Sequence, residues 1–431
     1  GIGSKSPRFG WKVACQQRGY RQSAYRILVA DTEDALTADK GTVWDSGTFL
    51  SSNSVLVPFQ GKELHSATRY YWKVKVWNEA GEESAWSRQG SFVTGIMKER
   101  DWGKAQWIAL EKDDSAKNLY PGIHAPLVRK MIGDRKVGGY KLPMFRKELP
   151  INKEVKEAIV NISGLGHFDF YINGEKVGNH FLDPGWTNYA KTALYQTFDV
   201  TALLKKRNVM GVMLGNGFYN VPRERYFKQL ISFGAPKLKL ALSLKYADGS
   251  SEVVVTDRSW KVCESPITYS SIYGGEDYDA GKYQVSWMNP GFDDDSWKTP
   301  VIAKTGMELK AQVSAPLTVR DILPVVRKYK NSKGNWVFDF GQNFSGIIRL
   351  KVKGHSGHKI TMKPGELLEK DSTVNQRASG GPYLWNYTLS GKGVEEWQPQ
   401  FTYYGFRYVE VSDIEKLELV ELTGMHTTNS A

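Results

Sequence analysis

Cysteine is nearly missing from this 431-residue chain, which has only Cys15 and Cys263. Two such distant residues argue against a disulfide framework or a thiolate metal cluster. Each sits in an apolar, strand-like run and reads as a buried free thiol. Long apolar stretches are missing too: no window reaches the roughly 18 uninterrupted apolar residues of a membrane span, and runs such as 237–246 are broken by lysine. Neither a Gly-x-Ser-x-Gly elbow nor a phosphate-cradling Gly-x-Gly-x-x-Gly is present, so neither a hydrolase triad nor a nucleotide cofactor is indicated. The seven histidines (65, 124, 167, 180, 355, 358 and 426) stand mostly alone. His355 and His358 have metal-compatible spacing only on a helix, and they flank Ser356-Gly357 in an apparent turn. Acidic residues are outnumbered 46 to 58, leaving a charge of +12. That excess can steer a protein toward nucleic acid, a membrane surface or an acidic polymer such as pectin. Without a helix-turn-helix, zinc knuckle or RNP-like aromatic motif, nucleic acid is disfavoured. The nearest basic cluster, Arg129, Lys130, Arg135, Lys136, Lys141, Arg146 and Lys147, reads as a solvated loop.

Aromatic residues are plentiful, with 14 Trp and 22 Tyr, and most segments alternate apolar and polar positions between Gly, Asn, Asp or Pro breaks. This pattern predicts an all-β chain of tandem β-sandwiches, divided at 1–97, 98–300 and 301–431. In the first segment, strands are expected at 24–30, 54–58 and 70–77, with turns at Asp45-Ser46-Gly47 and Asn78-Glu79-Ala80-Gly81. Tyr70 opens a late strand, where a tyrosine corner ties its hydroxyl to backbone. Together with Trp86-Ser87, these features resemble a fibronectin type III module. The second segment holds a hairpin, Phe168 to Ile172 followed by the strong Asn173-Gly174 turn signal. The third begins its sandwich at Trp336-Val337-Phe338-Asp339-Phe340-Gly341-Gln342-Asn343 and ends it with a strand over 403–411. Helix is limited to pieces such as 200–204.

A glycosidase needs two carboxylates flanking the scissile bond. Glu276, Asp277 and Asp279 form the richest acidic cluster, beside Gly274-Gly275, where tight backbone and acids can hold a hard cation or sugar hydroxyls unless they are merely solvated. Glu276 and Asp279 make a poor acid–base pair, because odd spacing on one strand puts them on opposite faces. Asp293, Asp294 and Asp295 read as a structural turn. Two segments, 179–189 and 214–223, combine aromatics with polar turns, the composition of sugar recognition or of an ordinary loop and core.

Eight motifs in order resemble the N-terminal, non-catalytic half of bacterial alpha-L-rhamnosidases of glycoside hydrolase family 78. They are Pro143-Met144-Phe145-Arg146-Lys147, Gly164-Leu165-Gly166, Tyr171-Ile172-Asn173-Gly174, Asp183-Pro184-Gly185-Trp186-Thr187, Tyr195-Gln196-Thr197, Leu214-Gly215-Asn216-Gly217-Phe218-Tyr219, Tyr273-Gly274-Gly275-Glu276-Asp277-Tyr278-Asp279 and Phe338-Asp339-Phe340-Gly341-Gln342-Asn343. The resemblance implies a fibronectin-like domain, a jelly roll similar to galactose-binding-like and rhamnose-binding modules, and another β-sandwich. A helical barrel carrying the family's inverting acid and base would begin about where Met425 to Ala431 stand. No catalytic residue is therefore carried over.

The jelly roll is implied to bind terminal L-rhamnose on glycans, in some members beside calcium. Matching positions are Asn179, Asp183, Trp186, Asn216, Tyr219, Glu276 and Asp277. Family members often have an acid where this chain has Asn179, which weakens the case for calcium. The expected role is the accessory portion of an enzyme acting on plant rhamnosides, secreted or periplasmic by family analogy, and partnered by the barrel. The alternative is a freestanding scaffold or lectin-like protein.

Overall fold

A computed structural model describes residues 1–16, 18–119, 133, 136–226, 229–378, 381–414 and 417–429. His124, Arg129, Lys130 and Arg135 lie outside that set. Among the described residues, α-helix is confined to Glu33–Thr37, the other helical pieces are single 3-10 turns such as Thr201–Leu203, and strands build the rest. The all-β expectation holds.

In the first sandwich, Gln22–Ala30 ends in the buried apolar run Ile27-Leu28-Val29-Ala30 and pairs with Arg69–Asn78, burying Ile27, Val29, Val74 and Val76 in one core. Tyr70 forms the anticipated corner, its hydroxyl accepting the His65 backbone N–H at 2.9 Å. The strand expected at 54–58 is shorter, Val57–Pro58, because Leu56 turns to φ +58° and breaks the extended run.

The second sandwich faces a seven-stranded sheet against a five-stranded one. Lys237–Tyr246 crosses the centre of the first sheet. Its Leu238, Leu240, Leu242 and Leu244 are fully buried in the core shared with Phe145, Phe170 and Val212. Two of the lysines that interrupt this run, Lys237 and Lys239, are buried. Lys237 reaches Asp113 at 2.8 Å, and Lys239 lies 4.9 Å over the Trp102 ring. The predicted hairpin is present: Phe168–Ile172 turns through Asn173 (φ +53°) and Gly174 (φ +83°) into Glu175–Lys176, the two successive positive angles of a type I′ turn.

Arg146 departs from the solvated-loop reading. It sits on the strand Pro143–Pro150 and is almost wholly buried, paired with Asp294 and Glu148 and donating to the Trp287 carbonyl. One of its two acids, Asp294, is remote in sequence, so local charge counting could not reveal the burial. Lys136 and Lys141 are exposed as expected. Asp294 thereby gains a definite structural role. Cys15 also departs from expectation: it is exposed and outside any strand, while Cys263 is half-buried on Lys261–Glu264 with its thiol pushed up to about 12 by desolvation.

The third sandwich is built around an eleven-stranded sheet whose longest member is Trp336–Lys353. Residue 300 is crossed in both directions. Val301–Ala303 and Glu308–Ala311 join the seven-stranded sheet of the second sandwich, whereas Ile267–Ser271, Gly275–Asp279 and His180–Phe181 join the sheet of the third. Gly275–Asp279 runs parallel to Leu384–Thr388. Gly275 (φ +94°) is required there, since a Cβ would lie 1.8 Å from the Leu384 carbonyl oxygen.

Candidate functional site

Three loops converge where the second and third sandwiches meet. The first follows His180–Phe181, a two-residue strand pinned to Leu317–Pro324, and carries Trp186 outward with 47% of its surface exposed. The second follows Arg207–Leu214. It passes through Gly215, where a Cβ would strike the Phe401 ring at 2.3 Å, and presents Phe218. The third is the tip of the hairpin between Ile267–Ser271 and Gly275–Asp279, which presents Tyr273.

The rings of Trp186 and Phe218 are stacked at 4.5 Å and 5°. Phe218 meets Tyr273 edge-on at 5.9 Å, and Tyr273 lies 5.2 Å from Tyr226. Burial raises the Tyr273 hydroxyl, and Tyr403 and Tyr226 lie close enough to oppose its ionisation as well. One face of Trp186 is thus backed by Phe218 while the exposed remainder can receive an apolar sugar face.

The seven residues read from sequence divide sharply. Trp186 and Asn179 are exposed. Asp183 is buried and accepts from Gln196 at 2.9 Å, with His180 Nδ1 at 2.6 Å. Asn216 is buried, donating to the Ser270 carbonyl and accepting from Asn220. Tyr219 is buried and bonds the Phe233 carbonyl at 3.2 Å. Glu276 is completely buried, one oxygen accepting the Gln400 N–H at 3.0 Å and the other the Phe401 N–H at 2.9 Å. Asp277 is half-buried, ion-paired with Arg225 and accepting from Asn386 at 2.7 Å. Asp183, Asn216, Tyr219 and Glu276 are therefore committed to partners within the fold.

A calcium shell does not fit this arrangement. Desolvation pushes the Glu276 carboxyl up to about 8 despite its two backbone donors, so it is largely neutral at pH 7. Asp277 is committed to Arg225, and among the described residues no three His, Cys, Asp or Glu side chains converge to hold a metal. Asp279 caps the turn Ala280–Lys282 by accepting the Gly281 N–H, so it is not poised beside Glu276 as a second catalytic carboxylate.

The sequence reading placed Phe218 within a candidate sugar-recognition segment, 214–223, without naming it as a site residue, and did not single out Tyr226 or Tyr273. Phe218 follows Gly217 and Tyr273 precedes Gly274-Gly275, so an aromatic beside glycine was the available signal.

These features define a class: a modular protein of tandem β-sandwiches, immunoglobulin-like first and concanavalin-like last, with an aromatic face at the junction of the second and third. Family models match in that order. Residues 1–98 match the Rha78A-like N-terminal immunoglobulin domain, 153–321 the alpha-L-rhamnosidase N-terminal domain, and 329–428 the bacterial alpha-L-rhamnosidase concanavalin-like domain. The chain belongs to the alpha-L-rhamnosidases of glycoside hydrolase family 78, whose N-terminal domains it comprises.

An alpha-L-rhamnosidase of Formosa agariphila is 37% identical over 96% of the chain and 44% of its own length. The solved alpha-L-rhamnosidase from Dictyoglumus thermophilum superposes with a TM-score of 0.86 at 35% identity, over 100% of the chain and 47% of that structure. The Streptomyces avermitilis enzyme, solved with L-rhamnose, gives 0.87 at 26% identity over 100% of the chain and 56% of that structure. The chain thus spans less than half the length of the first curated relative.

Proposed function

We propose that this chain is the accessory, carbohydrate-binding and structural portion of an alpha-L-rhamnosidase acting on terminal α-L-rhamnosides of plant glycans. The observation that carries the reading is Trp186, half exposed and stacked flat on Phe218 at the meeting point of three loops. Exposing an indole so fully forgoes the burial it would gain in a core, and a backed, open ring is the usual platform for a pyranose. The Streptomyces avermitilis relative, named as a complex with L-rhamnose, supports the sugar. On this reading hydrolysis belongs to a helical catalytic domain partnering these sandwiches in a secreted or periplasmic enzyme. The acids near the face are occupied by protein partners, so rhamnose binding is expected to be independent of calcium.

The test is calorimetric titration of L-rhamnose, with calcium and with EDTA, using L-fucose and D-galactose as controls. Saturable, rhamnose-selective heat that survives EDTA is the expected outcome. Trp186→Ala should weaken it by about 1 kcal/mol, roughly fivefold, with little change in melting temperature. Absence of heat with every sugar would leave the sandwiches as a scaffold, the role to which the buried Asp183, Asn216, Tyr219 and Glu276 already contribute.

A further inference from the structure

The motif Phe338-Asp339-Phe340-Gly341-Gln342-Asn343 lies on the strand Trp336–Lys353 of the third sandwich, where its pairing with Tyr404–Ser412 breaks register between Asp339 and Phe344. The intervening residues bulge from the sheet, and Gly341 (φ +79°), Gln342 and Asn343 are exposed. Asp339, at the base of the bulge, is buried. One of its carboxylate oxygens accepts the Gly341 N–H and the Arg407 Nε–H, each at 2.8 Å. The other accepts from Arg407 Nη2 at 3.1 Å and Arg327 Nη2 at 3.3 Å, which sets the two guanidinium groups side by side. The hydrogen bonds from Arg407 hold the Asp339 carboxyl below its usual value, so it is ionised at neutral pH and cancels one of the two positive charges. Among the described residues neither arginine pairs with another acid. Each cation also lies 5.0 Å over a tyrosine ring, Arg327 over Tyr329 and Arg407 over Tyr408. The side chains of Arg327 and Arg407 remain 64% and 37% exposed, and Arg327 Nε and Nη1 and Arg407 Nη1 donate to no described residue.

We propose that Arg327 and Arg407 form a binding site for the carboxylate of a uronic acid residue in an acidic polysaccharide. The guanidinium fork presents parallel N–H donors that match a carboxylate, and the second carboxylate neutralises the charge that Asp339 leaves over. Asp339 and the two tyrosine rings already hold the arginines in place, so little side-chain freedom is lost on binding. Arg327 stands on Arg327–Lys330, which pairs with Trp336–Lys353 and, among the described strands, with no other, leaving one edge open to an extended ligand. The net charge of +12 draws a polyanion toward the chain before contact is made. The site shares no residue with the Trp186 face. The inference rests on the reading of the chain as part of a glycan-acting enzyme and adds to it a second, acidic ligand at a separate place.

The test is calorimetric titration of trigalacturonic acid into the full chain at physiological ionic strength, with its methyl ester as the uncharged control and L-rhamnose as the probe of the Trp186 face. Two variants accompany the natural protein. Arg327→Gln leaves Asp339 its bonds to Arg407, and Lys328→Gln removes the same charge from the other face of the same strand, where Lys328 lies 5.5 Å from the Trp336 ring. Trigalacturonate should give saturable heat and its ester none. Arg327→Gln should weaken trigalacturonate binding about tenfold and Lys328→Gln less than about twofold, with melting temperature and rhamnose heat little changed in either. Equal binding of the ester, equal losses in the two variants, or no heat with trigalacturonate would overturn the site. The rhamnose titration keeps the two readings apart: rhamnose heat without trigalacturonate heat overturns this site alone, and trigalacturonate heat without rhamnose heat overturns the Trp186 reading alone.

Discussion

Glu276 is the residue whose chemistry departs furthest from its sequence appearance. Within a motif it reads as a loop acid; in the fold it is a buried carboxyl that bridges two backbone N–H groups of the segment 398–403. Those donors favour the ionised form, but desolvation outweighs them and the group rises from 4.5 to about 8. The folded protein therefore holds a proton that the unfolded chain gives up near 4.5. The resulting stabilisation is complete below that pH and is lost as pH rises toward 8. Melting temperature should accordingly decline from pH 5 to pH 8, and Glu276→Gln, which cannot ionise, should flatten that decline while lowering stability at pH 5, where one N–H loses its acceptor. Parallel pH profiles for the two proteins would show that Glu276 does not titrate in this range. Nearby His167 lies on the same path: burial lowers it to about 4, it is neutral at pH 7, and it bonds the backbone at Phe401. Neither environment is legible from sequence, because both are made by a segment more than a hundred residues further along.

At the level of elements, what could be read was local. Patterning located the strands expected at 24–30 and 70–77 and the sandwich opening at Trp336, and Asn-Gly located the hairpin turn, since each signal lies within a few residues of its consequence. The Asn173 turn also does more than its φ suggests. Its side-chain oxygen accepts the Val209 N–H at 2.9 Å and its amide donates to Asn208 at 3.1 Å, tying the turn to the neighbouring strand. Asn173→Ala combines the left-handed strain with loss of both bonds, a cost of roughly 2–3 kcal/mol. A clear drop in melting temperature with unchanged rhamnose affinity is the expected result, and an unchanged melting temperature would mean the turn relaxes freely. Paired glycines at Gly274-Gly275 announced close backbone approach, but not that the partner is Leu384, because parallel pairing between distant strands leaves no local pattern.

Across the whole molecule, the sandwiches are fastened by specific contacts. Tyr195 exchanges hydrogen bonds with the backbone of Ile96, and Glu157 receives both the Arg69 N–H and Lys245, joining the first sandwich to the second. Between second and third, Phe401 is fully buried beside Met144, Met213, Ile267 and Trp287. Phe401→Ala should cost about 3–5 kcal/mol, and scanning calorimetry should find the second and third sandwiches melting together at a lower temperature. A shift confined to one of two separate transitions would show that they fold independently. The strands exchanged across residue 300 carry this interdependence into heredity. Recombination that cuts between the second and third sandwiches would deliver a jelly roll lacking Val301–Ala303 and Glu308–Ala311, and a partner lacking Gly275–Asp279. The expected consequence is inheritance of the pair as one cassette: comparison of related genes should find both halves gained or lost in a single event, and frequent separation of the two would overturn it.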